Sequence, residues 1–253
     1  MSTDLTLELI NPTGEIANYV QAIWFAQSHK RGETWLPSDG ATGFILPLTG
    51  TIAIDGEVLT HSVYMQSTAT QSRKISYSAK ALFCGVRFHP GGFAQLQHVQ
   101  HPLALPEELT TLAEKLQDRS DFLTFKSLLA PSLNTLVPLH GSTYYTQKLV
   151  KLLTAYVPLN EAYEQAPLSA RQLERNMKQL CGITPKQLER IYRARQAKER
   201  LQANPRLALS QIAQECGYSD QSHFIREFGT ILKITPAKYR KLIECAQNHK
   251  NIP

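Results

Sequence analysis

The chain has 253 residues, of which 42% are hydrophobic, so it can bury one large core or two of ordinary size. Its formal net charge of +6 is uneven, because residues 1–147 carry −3 and residues 148–253 carry +9. Such a basic region is either a phosphate-binding surface or a solvated surface without a partner.

The chain begins without the basic start and apolar core of a signal peptide, and no apolar run approaches the roughly 20 residues that span a bilayer. We therefore expect a cytoplasmic protein. Four widely spaced cysteines without a CxxC pair suggest neither a zinc knuckle nor a disulfide framework, so buried reduced thiols are expected. No cofactor is predicted.

Residues 18–88 contain short β-rich runs separated by turn residues. The predicted strands are Val20–Phe25, Gly43–Leu48, Thr51–Ile54, Leu59–Tyr64 and Leu82–Phe88. Asp55-Gly56 is a good hairpin turn because both residues tolerate positive φ. The pattern predicts a small antiparallel sandwich or barrel.

Residues 91–157 change to helical spacing of apolar residues, as at Leu109, Leu112 and Leu116, which predicts connecting helices. Pro138 and Gly141 interrupt this pattern. We therefore predict a β-rich N-terminal domain with trailing helices over residues 1–137, a linker over 138–147 and a helical, basic domain over 148–253.

The C-terminal domain repeats itself at an offset of 51 residues. Apolar positions coincide with apolar ones and one arginine recurs in phase, which predicts two copies of one helical unit. The matched positions are Leu173 with Phe224, Arg175 with Arg226, Met177 with Phe228, Leu180 with Ile231, and Ile183-Thr184-Pro185 with Ile234-Thr235-Pro236.

Each copy has a capping residue and an apolar stripe. Ser169 and Gln172 form a capping box in the first copy, and Ser219 is the predicted cap in the second. The stripes that face the core have helical spacing, and long polar side chains lie opposite. The stripes consist of Leu173, Met177 and Leu180, and of Phe224, Phe228 and Ile231.

Other residues complete a helix-turn-helix. Before the second copy, the small Ala213 permits a close helix crossing and Gly217 supplies a left-handed turn. Between the copies, a helix is predicted from Pro185 to Gln202, ended by Asn204-Pro205. About 18 helical residues span roughly 27 Å, which can hold two helices about one DNA turn apart.

These residues resemble the DNA-binding domain of AraC/XylS transcription regulators between Leu168 and Lys241. Weaker similarity to cupin-like sensory domains lies in Leu36–Gly40 and Gly85–Gly92. The residues that carry the resemblance are Leu168-Ser169 with Leu173-Glu174-Arg175, then Ile212-Ala213 with Cys216-Gly217-Tyr218-Ser219-Asp220-Gln221-Ser222-His223-Phe224 and Phe228, and finally Ile234-Thr235-Pro236-Ala237-Lys238-Tyr239-Arg240.

The resemblance implies an α+β chain. Its N-terminal part would be a β-rich, cupin-like sandwich or barrel with connecting helices. Its C-terminal part would be an all-α domain of two helix-turn-helix motifs joined by a long helix. Lys233 replaces the glycine found at Gly182, so the second copy is expected to end its helix differently.

The resemblance also implies a DNA-facing set, although each member has an alternative as a solvated helix residue. Arginine suits guanine, glutamine suits adenine and glutamate suits cytosine. Asp220 is assigned to the helix dipole, and His223 is either DNA-facing or a partly buried support. The set is Arg171, Gln172, Glu174, Arg175 and Lys178 in the first motif, and Gln221, Ser222, His223 and Arg226 in the second; further candidates for phosphate contact, or simple solvation, are Arg193, Arg195 and Lys198.

In the N-terminal domain, Trp35, Arg87 and His89 are candidate effector-binding residues, and structural aromatics with a paired arginine are the alternative. No metal site is predicted, because the histidines lack helical pairing and a carboxylate partner.

The sequence therefore favours a transcription regulator over an enzyme, and it favours an activator among the regulators. Its expected partners are double-stranded DNA, RNA polymerase, a small-molecule effector and a second copy of the chain. The alternatives are a cupin-like enzyme or a DNA-repair methyltransferase fused to such a domain, and a dimeric adaptor that senses nothing.

Overall fold

A computed structural model of the chain describes residues 4–97, 111, 114 and 142–250. Strands occupy the N-terminal part and helices the C-terminal part, which confirms the predicted α+β architecture. No helix among these residues combines the length and the apolar character that crossing a membrane requires.

The N-terminal domain is an antiparallel sandwich of two sheets, as predicted. Its sheet orders are β1-β2-β9-β4-β7 and β3-β8-β5-β6. A short 3-10 helix covers Glu15–Asn18. The strands are β1 Leu5–Ile10, β2 Val20–Ser28, β3 Gly32–Leu36, β4 Gly43–Thr49, β5 Ile52–Ile54, β6 Glu57–Val58, β7 Tyr64–Gln66, β8 Arg73–Tyr77 and β9 Leu82–Phe88.

Strand β2 shows why the domain has two apolar clusters. Ile23 and Phe25 join one cluster, and Trp24 and Ala26 join the other, because successive side chains point to opposite faces. On β9, a side chain at Gly85 would collide with the carbonyl oxygen of Phe44 and with the Trp24 ring. The five-stranded sheet therefore requires glycine at that point.

The predicted strand Leu59–Tyr64 is wrong, since residues 59–63 form a loop between β6 and β7. Leu59 and Val63 still pack against the core from this loop, which is why the segment has a strand-like composition. The hairpin turn at Asp55-Gly56 is confirmed, with φ of 51° and 89°. Strands β1, β3, β6 and β8 were not predicted, and of β7 the predictions included only Tyr64.

The helices are α1 Gly92–Gln97, α2 Ser142–Thr154, α3 Leu159–Glu164, α4 Ala170–Cys181, α5 Pro185–Ala203, α6 Leu209–Glu215, α7 Gln221–Leu232 and α8 Pro236–Lys250. The predicted connecting helices fall mostly outside the described residues, as do Leu109, Leu112 and Leu116. Thr111 and Glu114, the two described residues in that stretch, are helical.

The predicted linker over residues 138–147 needs correction. Residues 138–141 lie outside the described residues, but residues 142–147 belong to α2, so the boundary at 147 falls inside a helix. Leu149 and Leu153 of α2 join the core of the C-terminal helices at 1% exposure each. Their helical spacing continues upstream, so the helical domain includes α2.

Candidate nucleic-acid interface

The first helix-turn-helix consists of α3 and α4. Ser169 caps α4, and the predicted capping box is confirmed, because the Ser169 hydroxyl accepts from the Gln172 N–H and the Gln172 amide oxygen accepts from the Ser169 N–H. Leu173 and Met177 are fully buried, as their stripe predicts. The helix therefore presents a fixed apolar face to the core and leaves the other face to solvent.

The outer face of α4 carries the predicted residues Arg171, Glu174, Arg175 and Lys178, all exposed. Gln172 is exposed too, but its amide oxygen is held by the cap. The Gln172 amide nitrogen is then the group that can donate a hydrogen bond to a base. The cap therefore narrows what Gln172 can recognise.

The second helix-turn-helix consists of α6 and α7. Ala213 is buried, and Gly217 has φ of 72°, which confirms the predicted crossing and left-handed turn. The predicted cap at Ser219 is wrong. Asp220 caps α7 by accepting the His223 N–H at 2.7 Å, and this hydrogen bond is the main reason why the pKa of Asp220 is lowered.

Helix α7 exposes Gln221, Ser222 and Arg226, as predicted, and buries the Phe224 stripe. His223 is half-buried: the Ser219 hydroxyl lies 3.0 Å from its Nδ1, and its Nε2 lies 3.6 Å from the Glu227 carboxylate. The geometry thus favours the supporting role for His223 over a base contact.

A buried carboxylate ties α7 to the long helix α5. The Glu227 side chain is 4% exposed and lies 2.6 Å from Arg190 Nε and 3.3 Å from Arg193 Nε. Arg193 also lies over the Tyr218 ring and donates to the Gly217 carbonyl at 3.1 Å. Burial, followed by the charge of Glu227, raises the pKa of Tyr218. This cluster was not predicted, because a glutamate on an amphipathic helix is expected on the solvent-exposed face.

Helix α5 joins the two units over 19 residues, and its start at Pro185 and its end before Asn204 are as predicted. A capping box at Thr184, which was not predicted, fixes its start. Its three candidates for phosphate contact all have partners within the protein. Arg193 meets Glu227, Arg195 lies over the Tyr192 ring, and Lys198 lies over the Tyr239 ring. Burial lowers the pKa of Lys198. Lys178 of α4, also a candidate for phosphate contact, is exposed.

Both α4 and α7 end in the left-handed conformation, Gly182 with φ of 73° and Lys233 with φ of 58°. The expectation of a different ending at Lys233 is therefore wrong, because lysine adopts the same conformation at an energetic cost. Removing that cost with Lys233→Gly should raise the free energy of unfolding by about 1 kcal/mol.

Urea denaturation checks this effect. Lys233→Ala is the matched control, because it removes the same charge, which acts on Asp55, and keeps the unfavourable φ. A Lys233→Gly protein no more stable than Lys233→Ala would contradict the explanation.

The candidate effector residues do not gather around one cleft. Trp35 lies on the edge strand β3 and is 47% exposed, whereas Arg87 lies on β9 in the other sheet. A cleft lined by Arg87 and Asp39 includes neither Trp35 nor His89. Burial lowers the pKa of His89.

Arg87 is a paired arginine. Its Nε lies 2.9 Å from Asp39, and it donates to the Gln66 side chain at 3.2 Å. Asp39, with 4% side-chain exposure, also lies 3.6 Å from Arg195 of α5. One buried carboxylate thus joins the two domains. Among the residues that the structure describes, no group of three or more His, Cys, Asp or Glu could hold a metal ion.

Comparison with known proteins agrees with the two helix-turn-helix units. Residues 163–242 match the helix-turn-helix domain family, over α4 to α7 and the first part of α8. The C-terminal domain is an AraC-type helix-turn-helix domain. The chain is 34% identical over 77 residues to the HTH-type transcriptional activator RhaS of Pectobacterium atrosepticum. That match covers 30% of this chain and 27% of RhaS.

Solved structures resemble the whole chain more loosely. ToxT from Vibrio cholerae aligns with a TM-score of 0.44 at 11% identity, covering 95% of this chain and 99% of ToxT. The xylose-binding transcription activator XylR aligns with a TM-score of 0.33 at 17% identity, covering 51% of this chain and 39% of XylR.

Proposed function

We propose that this protein is a sequence-specific transcription regulator that inserts α4 and α7 into successive major grooves of double-stranded DNA. One observation carries the proposal: both helices expose long polar side chains, and a single helix of 19 residues joins their two units. Such a helix is about 28 Å long, close to the roughly 34 Å of one DNA turn.

Charge supports the same proposal. Residues 148–253 carry a net charge of +9, which favours the DNA backbone through neutralised phosphates and released counterions. Arg175 and Arg226, in phase in the repeat, are the residues that we assign to base edges, because arginine binds guanine through two hydrogen bonds. Binding should fall steeply as salt is raised.

Arg226→Ala should weaken binding by about 1–3 kcal/mol and relax the preference at one base pair. The measurement is fluorescence anisotropy, over a salt series, on a duplex selected from a random library. Arg31→Ala is the control, because Arg31 is exposed in the turn between β2 and β3. Unchanged affinity and preference in Arg226→Ala would remove this residue from the interface.

We propose that a small molecule acting on the N-terminal domain controls DNA binding. We further propose that RNA polymerase and a second copy of the chain are partners, and that the protein activates transcription. Asp39 pairs with Arg87 and also lies close to Arg195 of α5, and these two contacts couple the N-terminal domain to α5. A melting-temperature screen of metabolites tests for the effector, and light scattering with and without DNA tests for the second copy. A reporter gene tests activation: we expect the natural chain to raise its transcription and the Arg226→Ala chain not to.

A repair methyltransferase fused to this domain would need a reactive cysteine. Burial raises the pKa of Cys84, raises that of Cys181 to about 12 and raises that of Cys216 to about 11. Because thiolate is the reactive form, we expect Ellman's reagent to label the exposed Cys245 quickly and the other three only after denaturation. A second fast-reacting thiol in the folded protein would revive the enzyme alternative.

A further inference from the structure

The loop from Ser67 to Ser72, between β7 and β8, lies against the C-terminal ends of both α4 and α7. The Thr68 hydroxyl donates a hydrogen bond to the Cys181 carbonyl of α4 at 2.8 Å. At the other end of the loop, the Ser72 N–H donates to the Ile231 carbonyl of α7 at 2.7 Å. One short loop of the N-terminal domain thus bonds to both helices that we assign to DNA.

These bonds use groups that a helix leaves open. The carbonyls in the last turn of a helix have no partner within the helix and are satisfied by water or by other parts of the protein. The side chains assigned to DNA are exposed along the outer faces, beginning in the first turn with Arg171 and Gln221. The loop therefore holds both helices at the end opposite to this first turn.

The loop is itself anchored to the sandwich. The Ser38 hydroxyl donates to the Ala69 carbonyl at 2.8 Å, and the Ser38 N–H lies 3.4 Å from the Ser72 hydroxyl. Ser38 and Ser72 are 2% and 6% exposed. Beside them, Asp39 meets Arg195 of α5 at 3.6 Å. Three helices of the AraC-type domain, α4, α5 and α7, thus contact one edge of the N-terminal domain.

We infer that the loop from Ser67 to Ser72 is a brace that sets the separation of α4 and α7, and with it the half-site spacing that the protein accepts. The inference rests on the proposed function. One added base pair moves the second half-site by about 3.4 Å and rotates it by roughly 35°. The helices can follow this change only by breaking their bonds to the brace.

A released-brace variant tests the inference, with Thr68→Val to remove the hydroxyl donor and Ala69→Gly, Thr70→Gly and Gln71→Gly to loosen the loop. Thr49→Val is the matched control, because its hydroxyl donates to the Lys80 carbonyl within the sandwich. The probes are duplexes with the selected half-sites at the selected spacing and at one base pair more or less.

We expect the natural chain and Thr49→Val to lose about tenfold in affinity at the wrong spacings, the scale of two hydrogen bonds, and the released-brace variant to lose at most about threefold. Equal discrimination by all three proteins would overturn the inference. Should the released-brace variant fail to fold, Thr68→Val alone must reduce the discrimination in the same direction.

A second measurement needs no DNA. Nitroxide labels on Gln179→Cys of α4 and Thr230→Cys of α7, in a Cys245→Ser background, report the distance between the helices by pulsed electron resonance. Release of the brace should broaden this distance distribution, and an unchanged distribution would overturn the inference. Broadening on release, together with no binding of any duplex by the natural chain, would disprove the proposed function, while the brace would still stand as the element that sets the separation of the two helices.

An engineered disulfide between the loop and α4 tests whether the brace stays in place when the protein binds DNA. A Cβ built at Gly182 lies 3.9 Å from the Thr68 Cβ, which suits a disulfide between Thr68→Cys and Gly182→Cys. We expect the oxidised lock to bind the selected duplex within about twofold of its reduced form, since a bond that does not change on binding contributes nothing to affinity. Loss of binding on oxidation, restored by reduction, would mean that the loop must leave, which contradicts a brace.

Discussion

Replacing Glu227 by alanine is expected to lower the free energy of unfolding by about 3–5 kcal/mol, because it breaks a buried ion pair by removing one partner. Arg193, with 16% side-chain exposure, would keep its charge without its carboxylate. Arg190, at 44% exposure, would recover contact with water and adds little to this cost. The loss should also free α7 from α5 and weaken DNA binding beyond the effect on stability.

Guanidinium denaturation followed by circular dichroism measures the change in stability. Glu164→Ala is the control, because Glu164 is an exposed residue of α3, and surface substitutions of this kind usually change stability by no more than about 0.5 kcal/mol. A Glu227→Ala protein as stable as the control would show that the pair of Glu227 with Arg193 does not hold α7 in place.

Asp39→Ala should have the second largest effect, about 3 kcal/mol, because the buried carboxylate faces two arginines of different domains. Arg87 would lose the partner of its Nε, and Arg195 would lose its contact across the interface. We expect calorimetry to replace one cooperative transition by two, one for each domain.

Glu33→Ala is the matched control, because it removes a carboxylate from an exposed pair with Lys74, at 61% and 42% exposure. Such surface pairs contribute about 0–1 kcal/mol. A single transition in the Asp39→Ala protein, at the same temperature as in the control, would mean that the two domains are coupled by other contacts.

Local periodicity was enough to predict the two repeated helical units of the fold. Leu173, Met177, Phe224 and Phe228 are all fully buried, as the repeated stripe requires. Their partners lie in neighbouring helices of the same domain, and a stripe with helical spacing must face such a core. The opposite faces could be assigned for the same reason, since residues such as Arg226 have nowhere else to point.

The contacts between distant parts of the chain could not be predicted in this way. Glu227 pairs with Arg190 37 residues away, and Arg87 pairs with Asp39 48 residues away. From sequence alone, a charged residue on a helix or strand is expected to face solvent, because its oppositely charged partner becomes a neighbour only in the folded chain. Strand β8 was missed for another reason. Only Ile75 and Tyr77 of its five residues are buried, so the strand has little apolar pattern to recognise.

Errors of one residue had local causes. Ser219 and Asp220 are both good capping residues, and only the extended backbone of Asp220 places its carboxylate on the His223 N–H. Lys233 adopts the left-handed conformation despite its side chain, because the chain must turn there as it does at Gly182. In both cases the tertiary arrangement decided between residues that local preference does not separate.

Hydroxyl-radical footprinting of the full chain on a duplex selected from a random library tests the central claim most directly. Two helices held by α5 predict two protected regions on one face of the duplex, with centres about 10 base pairs apart. Substitution of Arg175 should restore backbone cleavage in one region only, and substitution of Arg226 should restore it in the other. A single protected region that both substitutions affect alike would contradict the account of two helices in successive grooves.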